Sequence, residues 1–94
     1  MSMVRDNTQQ NRFEMDTSAG LAVADYRVIG STMTIYHTAV PLRSRGRGHG
    51  ARLVIGALGL AREKGYKIVP RCWFVEEVMR SSDTYNDMWA NRSV

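Results

Sequence analysis

Three glycines alternate with basic residues in the segment Arg45-Gly46-Arg47-Gly48-His49-Gly50. Glycine lets a ligand approach backbone N–H groups closely because it carries no Cβ. The first turn of a helix adds unpaired N–H groups and a partial positive charge, and arginine adds a bidentate partner for phosphate. With a helix directly after it, this segment predicts a cradle for a phosphorylated ligand. A flexible solvated turn is the alternative interpretation.

The distribution of charge favours the phosphate interpretation. The chain has 94 residues, with 13 Lys and Arg against 9 Asp and Glu, for a formal net charge of +4. Arg43, Arg45, Arg47 and Arg52 lie in one ten-residue segment without an acid, and the remaining charges cancel. One basic spot favours a small anionic ligand, whereas a nucleic-acid binder, which stays an alternative, spreads basic residues over a face with aromatic side chains for stacking.

Two common phosphate motifs do not match this segment. A Walker loop ends in Gly-Lys-Ser or Gly-Lys-Thr, and no such triplet occurs here. A dinucleotide-binding fingerprint needs a further glycine where this chain has Ala51 and Arg52, and it needs a longer fold. The residues by themselves therefore leave the phosphorylated ligand unidentified.

Alternating apolar residues indicate strands before this loop. Residues 1–10 are almost entirely polar and predict a mobile lead-in, followed by a single domain over residues 11–94. Strands are predicted at residues 12–16, 21–29 and 32–40, and the short turns between them favour an antiparallel meander.

The pattern becomes helical after Gly50 and predicts one main helix that Gly65 terminates. Residues 67–73 follow as a fourth strand, which a strand–helix–strand connection places parallel to the third. Pro70 favours an edge position for that strand. Short helices over residues 74–79 and after Ser82 complete the prediction, a mixed α/β fold with the main helix packed on the sheet.

Composition and cysteine count exclude some classes of protein. The mean hydropathy is -0.33 and no apolar run approaches the ~20 residues that a membrane span needs, so we expect no membrane partner. The polar start and the lone Cys72 favour the cytoplasm and exclude an internal disulfide. His and Cys do not occur at metal-ligand spacing, so no metal site is expected.

The glycine and arginine loop resembles a known motif. Arg45, Gly48 and Gly50 occupy the defining positions of the acetyl-coenzyme A motif of GNAT acetyltransferases, Gln/Arg-x-x-Gly-x-Gly/Ala. The chain over about residues 12–90 is similar to the small, single-domain, YjdJ-type members of that family. Besides the loop, this similarity is carried by His37-Thr38, by Cys72 in the segment after the main helix and by the late Tyr85.

The resemblance implies a function and a binding mode. Acetyl-coenzyme A would be the cosubstrate, and its acetyl group would pass to an amine that the sequence does not identify. The pyrophosphate would lie on the loop, and the pantetheine arm would pair with one strand between two strands that splay apart. The implied coenzyme A contacts are Thr38, Ala39, Val40, Arg45, Gly46, Arg47, Gly48, His49 and Gly50. A coenzyme A binding module with little turnover is the alternative, because the N-terminal helices that shape the acceptor pocket of larger members are missing.

Three residues are candidates for catalysis, each with a structural alternative. His37 has an imidazole suited to a base, but alternation places it on one strand face with Met33, Ile35 and Ala39, where it could be a core residue. Cys72 could accept the acetyl group as a nucleophile, or could be a small buried hydrophobe. The resemblance makes Tyr85 a candidate acid for the leaving thiolate, with packing in the last helix as the alternative.

Overall fold

A five-stranded mixed sheet forms the framework of the protein. The computed structural model describes residues 3–44, 46 and 48–90. The strands lie side by side in chain order, and they comprise β1 (Val4–Asn7), β2 (Arg12–Thr17), β3 (Gly20–Ile29), β4 (Thr32–Ala39) and β5 (Lys67–Pro70). β1 to β4 are antiparallel neighbours, and β5 pairs parallel to β4 at the sheet edge. The predicted meander and the parallel edge strand are therefore confirmed.

The helices all follow the fourth strand. The main helix α1 (His49–Glu63) connects β4 to β5, and α2 (Trp73–Arg80) follows β5. Short 3₁₀ segments lie at Leu42–Ser44 and Asp83–Met88, and the second begins where the Ser82 side chain accepts a hydrogen bond from the backbone N–H of Thr84.

The core lies between the sheet and α1. Side chains on the α1 side of the sheet pack against the apolar stripe of α1 and against the inner faces of α2 and the last 3₁₀ helix. The largest fully buried members are Phe13, Met33, Ile35, Leu53, Leu58, Ile68, Met79 and Met88. No helix in the described part of the chain is long and apolar enough to cross a membrane.

The N-terminal residues differ from the prediction. Residues 1–10 were expected to be mobile, but Val4–Asn7 form β1, which pairs with β2. Val4 is buried opposite Met15, and polar contacts hold the rest: Asp6 accepts hydrogen bonds from the Tyr26 hydroxyl and from Lys64 at the end of α1. Since one valine gives no periodic apolar pattern, a strand stabilised by polar partners distant in sequence could not be seen in the segment itself.

Candidate functional site

A cleft opens where β4 and β5 separate. The two strands pair from Thr32 opposite Lys67 to Ile35 opposite Pro70, and Arg71 adds a backbone hydrogen bond to the Ile35 carbonyl at 2.9 Å. β4 then continues to Ala39, while the chain after β5 turns into α2 at Trp73. The diverging elements bound a cleft of about 760 Å³ whose far wall is the start of α1.

The cleft brings together most of the residues predicted from the sequence. Arg45 and Arg47 lie outside the described residues, and Cys72 and Tyr85 are not among those that line the cleft. The predicted residues that line it are His37, Thr38, Ala39, Val40, Gly46, Gly48, His49 and Gly50. Ala51, Trp73 and Phe74 complete the lining and were not foreseen as site residues.

The first turn of α1 faces the cleft without a side-chain cap. Gly48 is the residue before the helix, with φ 76° and ψ 10°, and it supplies no capping hydrogen bond. The first turn contains no acid. A Cβ on Gly48 would meet no atom within 4 Å, so the left-handed backbone, and not crowding, favours glycine at this position. The uncapped N–H groups and the helix dipole make this end of α1 attractive to an anion.

Gly50 has a packing reason to be glycine. A Cβ there would lie 3.1 Å from Cε2 and 3.2 Å from Cζ of Phe74, closer than side chains normally approach. The missing side chain therefore lets the Phe74 ring rest on the first turn of α1. Trp73 packs edge-on against that ring, with 5.8 Å between the ring centroids, and is 75% exposed beside the cleft.

A β-bulge changes which residues of β4 face the core. Tyr26 pairs with Ile35 but Asp25 pairs with His37, so Tyr36 is an extra residue in β4. Because one inserted residue reverses the alternation, Thr38 rather than His37 shares the core side with Met33 and Ile35. The expectation that alternation puts Met33, Ile35, His37 and Ala39 on one face is therefore wrong.

His37 lies on the outer side of the sheet at the cleft. Its Nδ1 is 3.0 Å from Oδ2 of Asp25, its partner in the register of β3 and β4. The imidazole is 58% exposed and the Asp25 side chain 26% exposed. His37 is thus an accessible imidazole with a carboxylate partner, and not a core histidine.

Thr38 turns inward and meets Cys72. The Thr38 Oγ1 lies 3.6 Å from the Cys72 Sγ, and Cys72 is partly buried at the residue that precedes α2. Burial raises the pKa of the Cys72 thiol, but the Thr38 hydroxyl and the backbone groups of Val75, Phe74 and Thr38 outweigh it, so the pKa is lowered from its ordinary value. The lowered pKa favours the nucleophilic thiolate.

Tyr85 is held at the opposite end of α1. Arg62, in the last turn of α1, donates to the carbonyl of Thr84 at 2.5 Å and to the Asp87 carboxylate at 2.6 Å. The cleft lies at the first turn, and a helix of 15 residues is about 22 Å long. Tyr85 is partly buried and packs against the core, so the structure does not bring it to the cleft.

One buried polar atom at the uncapped end of α1 has no hydrogen-bond partner in the described structure. This atom is Nδ1 of His49. Arg43 and Arg52 are exposed, and neither has a carboxylate partner among residues 3–44, 46 and 48–90. Those same residues contain no group of three His, Cys, Asp or Glu arranged to hold a metal ion. Neither arginine lines the cleft, so the features that suit a phosphorylated ligand there are the N–H groups and the dipole of the first turn of α1.

A single main helix, entered through a glycine turn, lies beside the cleft that opens where β4 and β5 separate, in a mixed α/β fold. Residues 12–88 match the model of the GCN5-related N-acetyl-transferase family, and the chain belongs to this family. Its members generally use acetyl-coenzyme A as cosubstrate.

One solved structure supports the same assignment. The NMR solution structure of a GCN5-like protein from Staphylococcus aureus, provisionally assigned as an N-acetyltransferase, superimposes with a TM-score of 0.65. The two chains are 25% identical, and the match covers 99% of this chain and 94% of the other. A search of curated proteins gave no match to this chain.

Proposed function

We propose that the protein binds acetyl-coenzyme A in the cleft between β4 and α2 and transfers the acetyl group to an amine. The observation that carries the proposal is the continuity of the cleft with the uncapped first turn of α1. A phosphate-bearing ligand needs the N–H groups at one end of such a cleft, and an extended arm needs the strand edge along it.

The described residues fit the two halves of this ligand. Gly46 and Gly48 have open space where a side chain would stand, and the buried Nδ1 of His49 has no protein partner. Since β5 pairs with β4 only as far as Ile35, the backbone of residues 38–40 runs along the cleft beyond the paired region. The bound cosubstrate would supply an activated acetyl thioester.

Two residues of the chain are our candidates for the chemistry. His37 would accept the proton that the amine loses, since its exposed imidazole lines the cleft. Cys72 would instead take the acetyl group covalently, a route that its lowered thiol pKa favours and its partial burial opposes. Cys72 contacts Thr38, whereas His37 contacts Asp25. Because the two candidates share no partner, each route can be tested by its own substitution. Tyr85 is the weakest of the predicted catalytic residues because it packs at the far end of α1.

A coenzyme A binding module with little turnover is the second candidate function. The packing of the protein favours this function. The helices that form the core share one face of the sheet, and the described structure has no helix on the opposite face. The opening through which an amine would approach is therefore not enclosed. A cytoplasmic location remains a prediction from the sequence.

Calorimetry with acetyl-coenzyme A, coenzyme A and a short oligonucleotide separates the ligand classes. We expect both coenzyme A forms to bind, with an affinity that falls as salt rises because the partners are charged, and only weak non-specific binding of the oligonucleotide. A tight oligonucleotide complex without coenzyme A binding would contradict the proposal. Release of free thiol from acetyl-coenzyme A on addition of amines then separates a transferase from a binding module.

A further inference from the structure

We propose that Asp25 is the positioning residue for His37: it holds the imidazole with the proton on Nδ1, so that Nε2 presents a lone pair for the amine acceptor. The inference rests on the proposed transfer of acetyl to an amine. It comes from the contact between His37 Nδ1 and Asp25 Oδ2, at 3.0 Å, on the outer side of the sheet.

The chemistry of the pair fixes the tautomer. An ionised carboxylate only accepts hydrogen bonds, so in neutral His37 the nitrogen that faces Asp25 must be the one that carries hydrogen. The other ring nitrogen, Nε2, is then the acceptor. The imidazole is 58% exposed and lines the cleft, so a proton donor that enters the cleft can approach it.

The bulge at Tyr36 creates this pair. With regular alternation His37 would face α1, but the extra residue brings it opposite Asp25. β3 and β4 therefore supply the carboxylate and the base from directly opposed positions on adjacent strands. Rigid strands hold such a pair more precisely than loops would.

The arginines near Asp25 have other partners. Arg12 lies opposite Asp25 on β2, but its Nε donates to Glu14 at 2.6 Å. On the other side Arg27 stacks over the Tyr36 ring, with its guanidinium carbon 5.8 Å from the ring centroid. The Asp25 carboxylate therefore contacts the His37 imidazole.

The transfer step balances through this pair. The amine nitrogen forms a bond to the acetyl carbon, the carbon–sulfur bond breaks with its electron pair on sulfur, and the proton that nitrogen loses passes to Nε2 of His37. That proton then goes to the leaving thiolate or to water, which restores neutral His37. Asp25 exchanges no proton and stabilises the imidazolium that forms in between.

Nitrogen-15 NMR of the folded protein tests the positioning without any acceptor. The ring nitrogens are observed in alkaline buffer, and the His37→Gln variant assigns the His37 signals. We expect hydrogen on Nδ1 in the wild type and a shift towards hydrogen on Nε2 in Asp25→Asn. Asp16→Asn removes a carboxylate from the same sheet face but away from His37, so it should leave the tautomer unchanged. Hydrogen on Nε2 of His37 in the wild type would overturn the proposal, and this result does not depend on the folding of Asp25→Asn.

Kinetics with spermidine and free lysine as probe amines test the consequence. We expect Asp25→Asn to lower kcat about tenfold with an unchanged KM for acetyl-coenzyme A, since positioning supports only part of the effect of a general base, and Asp16→Asn to match the wild type. An Asp25→Asn variant as fast as an active wild type would overturn the inference alone. A wild type that binds acetyl-coenzyme A but acetylates no amine would overturn the base role together with the proposed transfer.

Discussion

Gly48 offers the sharpest perturbation of the phosphate cradle. Asn and Asp have nearly the same shape, so replacing Gly48 by either adds the same bulk and the same strain at φ 76°. Left-handed backbone costs a non-glycine residue about 1–2 kcal/mol, with Asn and Asp at the low end. Because a Cβ at this position meets no atom within 4 Å, both variants should fold.

The two variants differ only in charge, and the charge acts in opposite directions on stability and binding. A carboxylate before the first turn of α1 interacts favourably with the helix dipole by about 0.3–1 kcal/mol, so Gly48→Asp should be at least as stable as Gly48→Asn. The same carboxylate repels a phosphate about 5 Å away by about 1–3 kcal/mol, for an effective dielectric constant of about 80 to 20. We therefore expect Gly48→Asp to bind coenzyme A about 5- to 150-fold more weakly than Gly48→Asn.

Thermal unfolding and calorimetry on the two variants measure both effects. The difference in affinity should shrink in about 1 M salt, where the Debye length falls to about 3 Å. Equal affinities for coenzyme A in two folded variants would refute a phosphate site at this end of α1.

Three further predictions follow from individual residues. If Cys72 carries the acetyl group, incubation with acetyl-coenzyme A followed by an acid quench should leave an acetyl adduct in the intact mass spectrum, and Cys72→Ala should lack it. Full turnover by Cys72→Ala on an amine would eliminate that route. A hydrogen bond from Arg12 holds the pKa of Glu14 below its ordinary 4.5, so this carboxylate adds stability above about pH 4.5 that is lost as pH falls through the lowered value. Urea midpoints should therefore fall more steeply on acidification in the wild type than in Glu14→Gln, and parallel curves would contradict this. Gly59 is exposed on α1, and a Cβ there would meet no atom within 4 Å. Gly59→Ala should therefore raise the free energy of unfolding by about 0.5–1 kcal/mol and the Tm by about 2–8 °C. An unchanged Tm would contradict this interpretation of the site.

Much of the fold could be predicted because its signals are local. The apolar spacing after Gly50 predicted α1, and strand–helix–strand connectivity predicted that β5 runs parallel to β4. Pro70 favoured the edge position that β5 occupies. These features depend on residues close together in the chain, where periodicity and turn chemistry are visible.

The missed features depend on contacts between distant residues. β1 is held by partners such as Lys64, 58 residues from Asp6, and the bulge at Tyr36 appears only when β3 and β4 are paired. Tyr36 and His37 both tolerate solvent, so no break in apolar alternation marks the extra residue. The pairing of His37 with Asp25, and of Thr38 with Cys72, follows from that bulge and could not be derived from the sequence of β4 alone.

The central claim is that one cleft holds the phosphorylated cosubstrate at the start of α1 and along the end of β4. Titration of nitrogen-15 labelled protein with acetyl-coenzyme A, followed by backbone amide NMR, tests it residue by residue. We predict saturable shifts concentrated at residues 38–40 and 48–51, with Arg5 and Glu14 on the outer sheet face unaffected. Shifts confined to β1 and β2, or no saturable shift at all, would contradict the account.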